Sequence, residues 1–187
     1  MTFGKKMLQE WANSMLVRKI EWQGNVSATA DDIERYSSYL KDDGLMITGF
    51  DSDGLTYEWD GSSDRGIRPD VVTDVASLLR ELKYACPVWT GIGTKLPKTR
   101  HDSYYLKHVF ENIRRRKGNQ DYYVSNGEFI AGYIHFLCLE FMGKNRNFVR
   151  ECISIDGLGG PNVDVAIPEV WLDIADRFVN PGKYTLE

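Results

Sequence analysis

The side chains best suited to metal or thiol chemistry are three histidines, His101, His108 and His135, and three cysteines, Cys86, Cys138 and Cys152. His101 and His108, seven apart, would share one face of a helix, and His135 lies three residues before Cys138 on another. Structural zinc is usually held through close ligand pairs such as CxxC or HxxxH. Neither spacing occurs, so no metal site is expected. Cys138, His135 and Glu140 supply the residue types of thiol catalysis, but spacings of two and three along one helix aim them in different directions. A nucleophilic thiol also favours a helix start or a loop. Asp51, Asp53, Asp60 and Asp64 cluster in one region, yet the further ligands and closing Glu of a calcium loop are missing. Gly91-Ile92-Gly93-Thr94-Lys95 lacks the order of a phosphate loop, and Gly157-Leu158-Gly159-Gly160 has no Lys or Arg beside it. No catalytic residue and no cofactor is expected.

The basic segment offers a different kind of chemistry. Lys95, Lys98, Arg100, Lys107, Arg114, Arg115, Arg116 and Lys117 fall within 23 residues, interleaved with Tyr104 and Tyr105. Cations on successive helical turns would track phosphates or an acidic protein surface, and tyrosines add stacking area. Lys95, Lys98, Arg100, Tyr104, Lys107 and Arg114 to Lys117 are therefore the expected partner-binding residues. The competing explanation is local: cations at a helix C-terminus complement its macrodipole.

Charge is unevenly spread. Residues 1–74 carry 14 acidic and 8 basic side chains, residues 75–150 carry 6 and 13, and residues 151–187 carry 7 and 2. Either the segments neutralise one another by packing together, or a basic face stands between acidic ones. The formal charge of the chain is −4, which disfavours a dedicated nucleic-acid binder. With 42% hydrophobic residues the chain can build a real core. Three cysteines without a CxxC pair, and no secretory leader, suit reduced thiols in a bacterial cytoplasm. The most apolar stretch, Phe129 to Met142, is too short to span a bilayer.

These side chains need a scaffold, and its elements are legible from period and punctuation. Met7, Leu8, Trp11, Met15 and Leu16 predict an opening amphipathic helix. A second helix runs from about Asp31 to Lys41, capped by Thr29, with Ile33, Tyr36 and Leu40 inward and Gly44 at its end. Leu45–Phe50 and Leu55–Trp59, joined by Asp51-Ser52-Asp53-Gly54, read as a β-hairpin. The loop at residues 60–66 marks a candidate boundary between an acidic N-terminal lobe, residues 1–66, and a helical core, residues 67–187, unless the two form one continuous domain. Pro69 starts a third helix with Val71, Val75, Leu78, Leu82 and Ala85 on one face, and Pro87 stops it. Asp102 caps a fourth, striped by Tyr105, Leu106, Val109, Phe110 and Ile113. Ser125-Asn126-Gly127-Glu128 has the form of a capping box. The helix it opens, to about Met142, is apolar on nearly every side and is the expected centre of the fold, with Phe129, Tyr133, Ile134, Leu137 and Phe141 enclosed. A last helix starts near Pro168 and turns Trp171, Ile174, Ala175 and Phe178 inward. The fold class is α+β: a mostly helical core around residues 125–142 with a small hairpin at residues 45–59.

Ser103-Tyr104-Tyr105-Leu106-Lys107-His108, followed by Tyr123-Val124-Ser125-Asn126-Gly127-Glu128-Phe129-Ile130-Ala131, resembles a segment of small proteins carried by bacterial prophages, plasmids and integrative elements. The likeness spans residues 103–131, and this chain departs from it in the longer basic spacer, Arg114 to Gln120. The resemblance implies a mobile-element accessory protein and transfers no catalytic residue. By analogy with such proteins the expected function is non-enzymatic: binding and inhibiting a host protein or ribonucleoprotein complex, defence systems such as CRISPR included. The alternatives are a nucleic-acid-binding accessory protein using residues 95–117, and an enzyme of a type the motifs do not reveal.

Overall fold

The computed structural model describes residues 3–17, 26–45, 47–57, 66–86, 97–141, 146–155 and 160–184. Among these are seven α-helices: α1 (Lys5–Val17), α2 (Ala30–Leu40), α3 (Pro69–Ala85), α4 (Ser103–Arg116), α5 (Asn126–Glu140), α6 (Arg146–Cys152) and α7 (Glu169–Val179). Strands β1 (Ile47–Asp51) and β2 (Gly54–Tyr57) form the expected antiparallel hairpin. A second, three-stranded antiparallel sheet joins β3 (Arg100–Asp102), β4 (Ile153–Ser154) and β5 (Asp164–Ala166), in the order β3-β5-β4. The class is α+β. No helix among the described residues is long and apolar enough to cross a membrane.

The α5 helix has no outward face. Every residue from Asn126 to Cys138 is buried, and Phe129, Ile130, Tyr133, Ile134, Phe136 and Leu137 are wholly enclosed. Its neighbours take one side each. Phe129 meets Phe110 of α4 at 5.3 Å between ring centroids, and Phe136 meets Trp171 of α7 edge to face at 6.1 Å. The Tyr133 hydroxyl donates to the Ala166 carbonyl of β5 over 2.6 Å. On the α3 side Gly132 is obligatory, since a Cβ there would lie 2.6 Å from Val75 Cβ and 3.1 Å from the Val72 carbonyl oxygen. At the start of the helix, a Cβ on Gly127 would fall 1.6 Å from the Asp51 carbonyl oxygen, so the hairpin turn rests directly on backbone. The Gly127 N–H donates to the Ser52 carbonyl there, over 3.1 Å.

Capping explains where α5 begins. The Ser125 side chain accepts from the Glu128 N–H, and the Glu128 carboxylate accepts from the Ser125 N–H, the reciprocal pattern read from the sequence. Glu128 does more than close a box. Its carboxylate, 2% exposed, also accepts from the backbone N–H, Nε and Nη2 of Arg68, the residue that precedes α3. Burial would raise its pKa, but these bonds outweigh that and hold the carboxyl below its ordinary range. The starts of α3 and α5 are thereby fastened by one ion pair.

Most helix faces fall where their periodicity puts them. Val71, Val75, Leu78, Leu82 and Ala85 of α3 are buried, as are Trp171, Ile174, Ala175 and Phe178 of α7. Thr29 caps α2 and does so through a full capping box with Asp32. Several details differ. Met7 is 43% exposed and Ala12 holds the inward position on α1; Tyr105 also faces out of α4. Phe141 is the C-cap of α5 and only partly buried. Gly44 does not end α2, which stops at Leu40 and is followed by a 3₁₀ turn, Asp43–Leu45. Trp59 and residues 60–65 lie outside the described residues. Buried side chains from Leu8 to Tyr57 belong to the same hydrophobic cluster as those from Val71 to Phe178.

The Arg68–Glu128 pair yields a graded prediction. Ser125→Ala, which removes one cap bond, should cost about 0.5–2 kcal/mol. Glu128→Ala, which also removes the bonds from Arg68 while leaving that guanidinium its contacts with Asp121 and the Tyr123 carbonyl, should cost more, roughly 2–3 kcal/mol. Denaturant unfolding at constant m-value measures both, and equal losses would show that the ion pair adds nothing to the cap.

Candidate functional site

Helix α4 carries most of the expected partner-binding residues, and the fold divides them into two groups. It begins where Asp102 caps the Tyr105 N–H, over 3.0 Å, and its inner face is pinned by Leu106, Phe110 and Ile113, all wholly buried. The flanks are held by internal ion pairs. Lys107 is buried; its Nζ lies 3.5 Å from Glu111 and sits over the rings of Tyr104 and Tyr123, at 4.8 Å and 5.2 Å from their centroids. Arg114, also buried, donates to the Tyr123 carbonyl over 2.8 Å and to Asp74 of α3 over 3.2 Å. Lys117 pairs with Glu81, and Arg100 donates to the carbonyls of Glu151 and Cys152. These four cations secure the scaffold.

The second group faces solvent. Tyr104, Tyr105, His108, Asn112, Arg115 and Arg116 are all exposed and form one stripe along nearly the whole length of α4. Arg115 stacks on the ring of Tyr122 at 4.1 Å, and Arg116 has no partner among the described residues. Tyr104 is 51% exposed, Tyr105 53% and Tyr123 54%. No carboxylate interrupts the stripe. The one acidic residue of α4, Glu111, is buried and accepts from Lys107, from His108 Nδ1 over 2.7 Å and from the Val124 N–H over 3.2 Å. Lys98 is exposed beyond the other end of the helix, and Lys95 lies outside the described residues.

Beside this stripe runs a groove between α4 and α7. One part, about 220 Å³, lies between Tyr105, His108 and Val109 on one wall and Leu172, Ala175 and Val179 on the other. It continues past Asn112 and Asn180 to Arg115 and Arg116. The two helices run in the same direction: His101 and Glu169, 3.0 Å apart, mark their starts, and Arg116 and Asn180 their ends. Asp176, on the α7 wall, accepts from Asn180, Lys183 and Tyr184. Burial would raise its pKa, yet those bonds hold it below the usual carboxylate range, so it is ionised and internally neutralised.

The residues examined for thiol or metal chemistry go elsewhere. Cys86, Cys138 and Cys152 are buried free thiols, and burial pushes Cys152 up to about 12, which keeps it protonated and inert. Glu140 pairs with Arg80 at 2.8 Å and with Lys83. His135 lies between Tyr36 and the Val26 carbonyl, each at 2.7 Å. A carbonyl only accepts, so Nε2 carries the hydrogen and the Tyr36 hydroxyl donates to Nδ1. Burial lowers the pKa of His135, against the opposing pull of the Val26 carbonyl and Asp32, and the ring is neutral. No group of three His, Cys, Asp or Glu among the described residues is placed to hold a metal ion. The chain matches no family model, no curated protein and no solved structure.

The division of the arginines has a direct test in stability. Arg114→Glu should destabilise by on the order of 3 kcal/mol or more, because it buries a carboxylate against a carbonyl. Arg115→Glu and Arg116→Glu should each cost about 1 kcal/mol or less. Similar losses at all three positions would contradict the assignment. A second expectation concerns pH. The folded pKa of His135 lies below its unfolded value, so its contribution is fully present above about pH 6.5 and is lost as pH falls below that. Denaturant midpoints should therefore drop between pH 7.5 and pH 5.5, and the drop should shrink in His135→Gln. An unchanged pH dependence in the variant would show that His135 is not the group responsible.

Proposed function

We propose that this chain is a non-enzymatic binding protein that engages a macromolecular partner through the exposed stripe of α4 and the adjoining tyrosines Tyr122 and Tyr123. One observation carries the reading. Tyrosine and arginine, residue types that dominate binding hot spots, are concentrated on a stripe of α4 to which the helix contributes no exposed carboxylate. Tyr104 and Tyr123 are held from beneath by Lys107 and Tyr122 stacks with Arg115, so presenting these three costs little side-chain entropy. Their rings are stiff, large and amphipathic.

The partner in this proposal is a protein, or the protein surface of a ribonucleoprotein. Four cations of the basic segment, Arg100, Lys107, Arg114 and Lys117, are committed to internal bonds, which leaves few to track a phosphate backbone. The overall charge of −4 also repels a long polyanion. The mobile-element resemblance of residues 103–131 supplies the setting. It favours a host complex as target and inhibition as the consequence, with CRISPR effectors among the candidates.

The test is capture from a nuclease-treated bacterial lysate by the full chain, compared with a Tyr104→Ala, Arg115→Glu, Arg116→Glu variant of matched thermal stability. A protein retained in stoichiometric amount by the unaltered chain and lost from the variant is the expected result. Equal capture by both would place binding on another surface. Capture seen only from a parallel lysate without nuclease would favour the nucleic-acid reading instead.

A further inference from the structure

The groove beside α4 specifies more than a sticky face, because its two ends differ in chemistry. Toward the helix starts Tyr105, Val109, Leu172 and Ala175 give it an apolar wall, in a recess of side-chain size that His108 and Asp176 also line. Near the helix ends it opens between Arg115 and Arg116 on one wall and Val179 and Asn180 on the other. Tyr105 and Arg116 are eleven residues apart, so the groove runs for roughly 16 Å at the helical rise of 1.5 Å per residue. The α7 carboxylates near it, Glu169, Asp173 and Asp176, form no ion pair with the arginines. Asp176 is held by its own three donors, Glu169 lies at the far end against His101, and Glu111 is buried beneath α4. Lys107 and Arg114 of α4 and Lys117 at its C-cap each have a carboxylate partner, whereas Arg115 and Arg116 have none among the described residues.

We infer that this groove binds an acidic segment of the partner protein, with one or two apolar side chains in the recess and carboxylates on Arg115 and Arg116. The inference rests on the binding reading above and names what the stripe recognises. Charge complementarity selects the occupant: an apolar recess fixes register, and two adjacent guanidinium groups with forked donors suit carboxylates. The polarity of the groove also fixes direction. The acidic end of the segment lies at the C-terminal ends of α4 and α7, and its apolar anchor lies toward Tyr105. A segment of the opposite polarity would set its carboxylates near Glu169.

Asn112 lies where the two parts of the groove meet and is exposed, so it can be changed without disturbing the core. The probe is a random twelve-residue peptide library displayed on phage and selected on the full chain. The selected peptides are then made as fluorescein conjugates for anisotropy titration. Enrichment of Asp or Glu a few residues from an aromatic or aliphatic anchor is expected. Asn112→Glu should weaken such a peptide by roughly tenfold, and Asn112→Lys should bind it at least as tightly as the unaltered chain. Equal weakening by Glu and Lys would mean that shape rather than charge is read. Selected peptides without acidic residues, or acidic peptides indifferent to Asn112→Glu, would likewise overturn the inference. In that last case the arginines serve the helix ends only. A protein partner that is lost on Tyr104→Ala, yet unaffected by Asn112→Glu, would sink the groove and leave the stripe standing. A partner unaffected by either would sink the stripe.

Discussion

A helix that is apolar on every side forces the arrangement of everything else. Residues 126–138 can be buried only if protein surrounds them completely, and this chain surrounds them with α2, α3, α4, α7, the second sheet and the hairpin tip. Polar groups at such a centre need partners, since one left unpaired costs a kilocalorie or more. Glu128, His135 and the Tyr133 hydroxyl solve this in three ways: an ion pair with Arg68, a tautomer fixed between Tyr36 and Val26, and a bond to the carbonyl of Ala166. Each also ties α5 to an element far away in sequence. The polar contacts thus set which elements surround the helix, while apolar packing supplies the stabilisation.

The elements that could be read in the sequence were those with long, regular signals. The Ser125–Glu128 box, the Thr29 and Asp102 caps, Pro69 at the start of α3 and the hairpin at Asp51–Gly54 are local chemistry, independent of what packs around them. The three-stranded sheet was not legible for the opposite reason. Its strands are two and three residues long, too short for a period of two to register, and β3 exists only because it meets β5, 62 to 66 residues further along the chain. Short α6, seven residues from Arg146, escaped in the same way. Met7 and Tyr105 show the limit of periodicity: both lie at the edge of an apolar stripe, where tertiary packing alone decides which way a side chain turns.

For the candidate site, the sequence pointed to α4 but could not sort its cations. Arg114, Arg115 and Arg116 are equivalent in composition, yet successive helical residues are 100° apart. The first therefore turns toward Asp74 and the other two face solvent. The segregation of charge along the chain is resolved in part by internal pairing, with Arg114 on Asp74 and Arg150 on Asp42 joining the basic middle to the acidic N-terminal stretch. What remains outside, Arg115 and Arg116 with the tyrosines, is smaller than the basic segment and more directional. Asn112, Asn180 and the α7 wall carried no sequence signal, because a groove belongs to two helices and is not visible in either alone.

The central position of α5 also has a consequence in time. Translation delivers α1 to α4 before it, but β5 and α7 only afterwards, so the side that bears Tyr133 and Phe136 stays bare until residues 164–179 have been made. At ordinary elongation rates, making residues 141–179 takes roughly two to eight seconds, and α5 cannot complete its packing before then. Trp171 closes the gap when it arrives, and its indole N–H then donates to the Cys86 carbonyl at the end of α3. Chaperone demand during synthesis is accordingly set by the last third of the chain. Premature termination just before α7 would leave a product prone to aggregate, even though six of the seven described helices were already encoded.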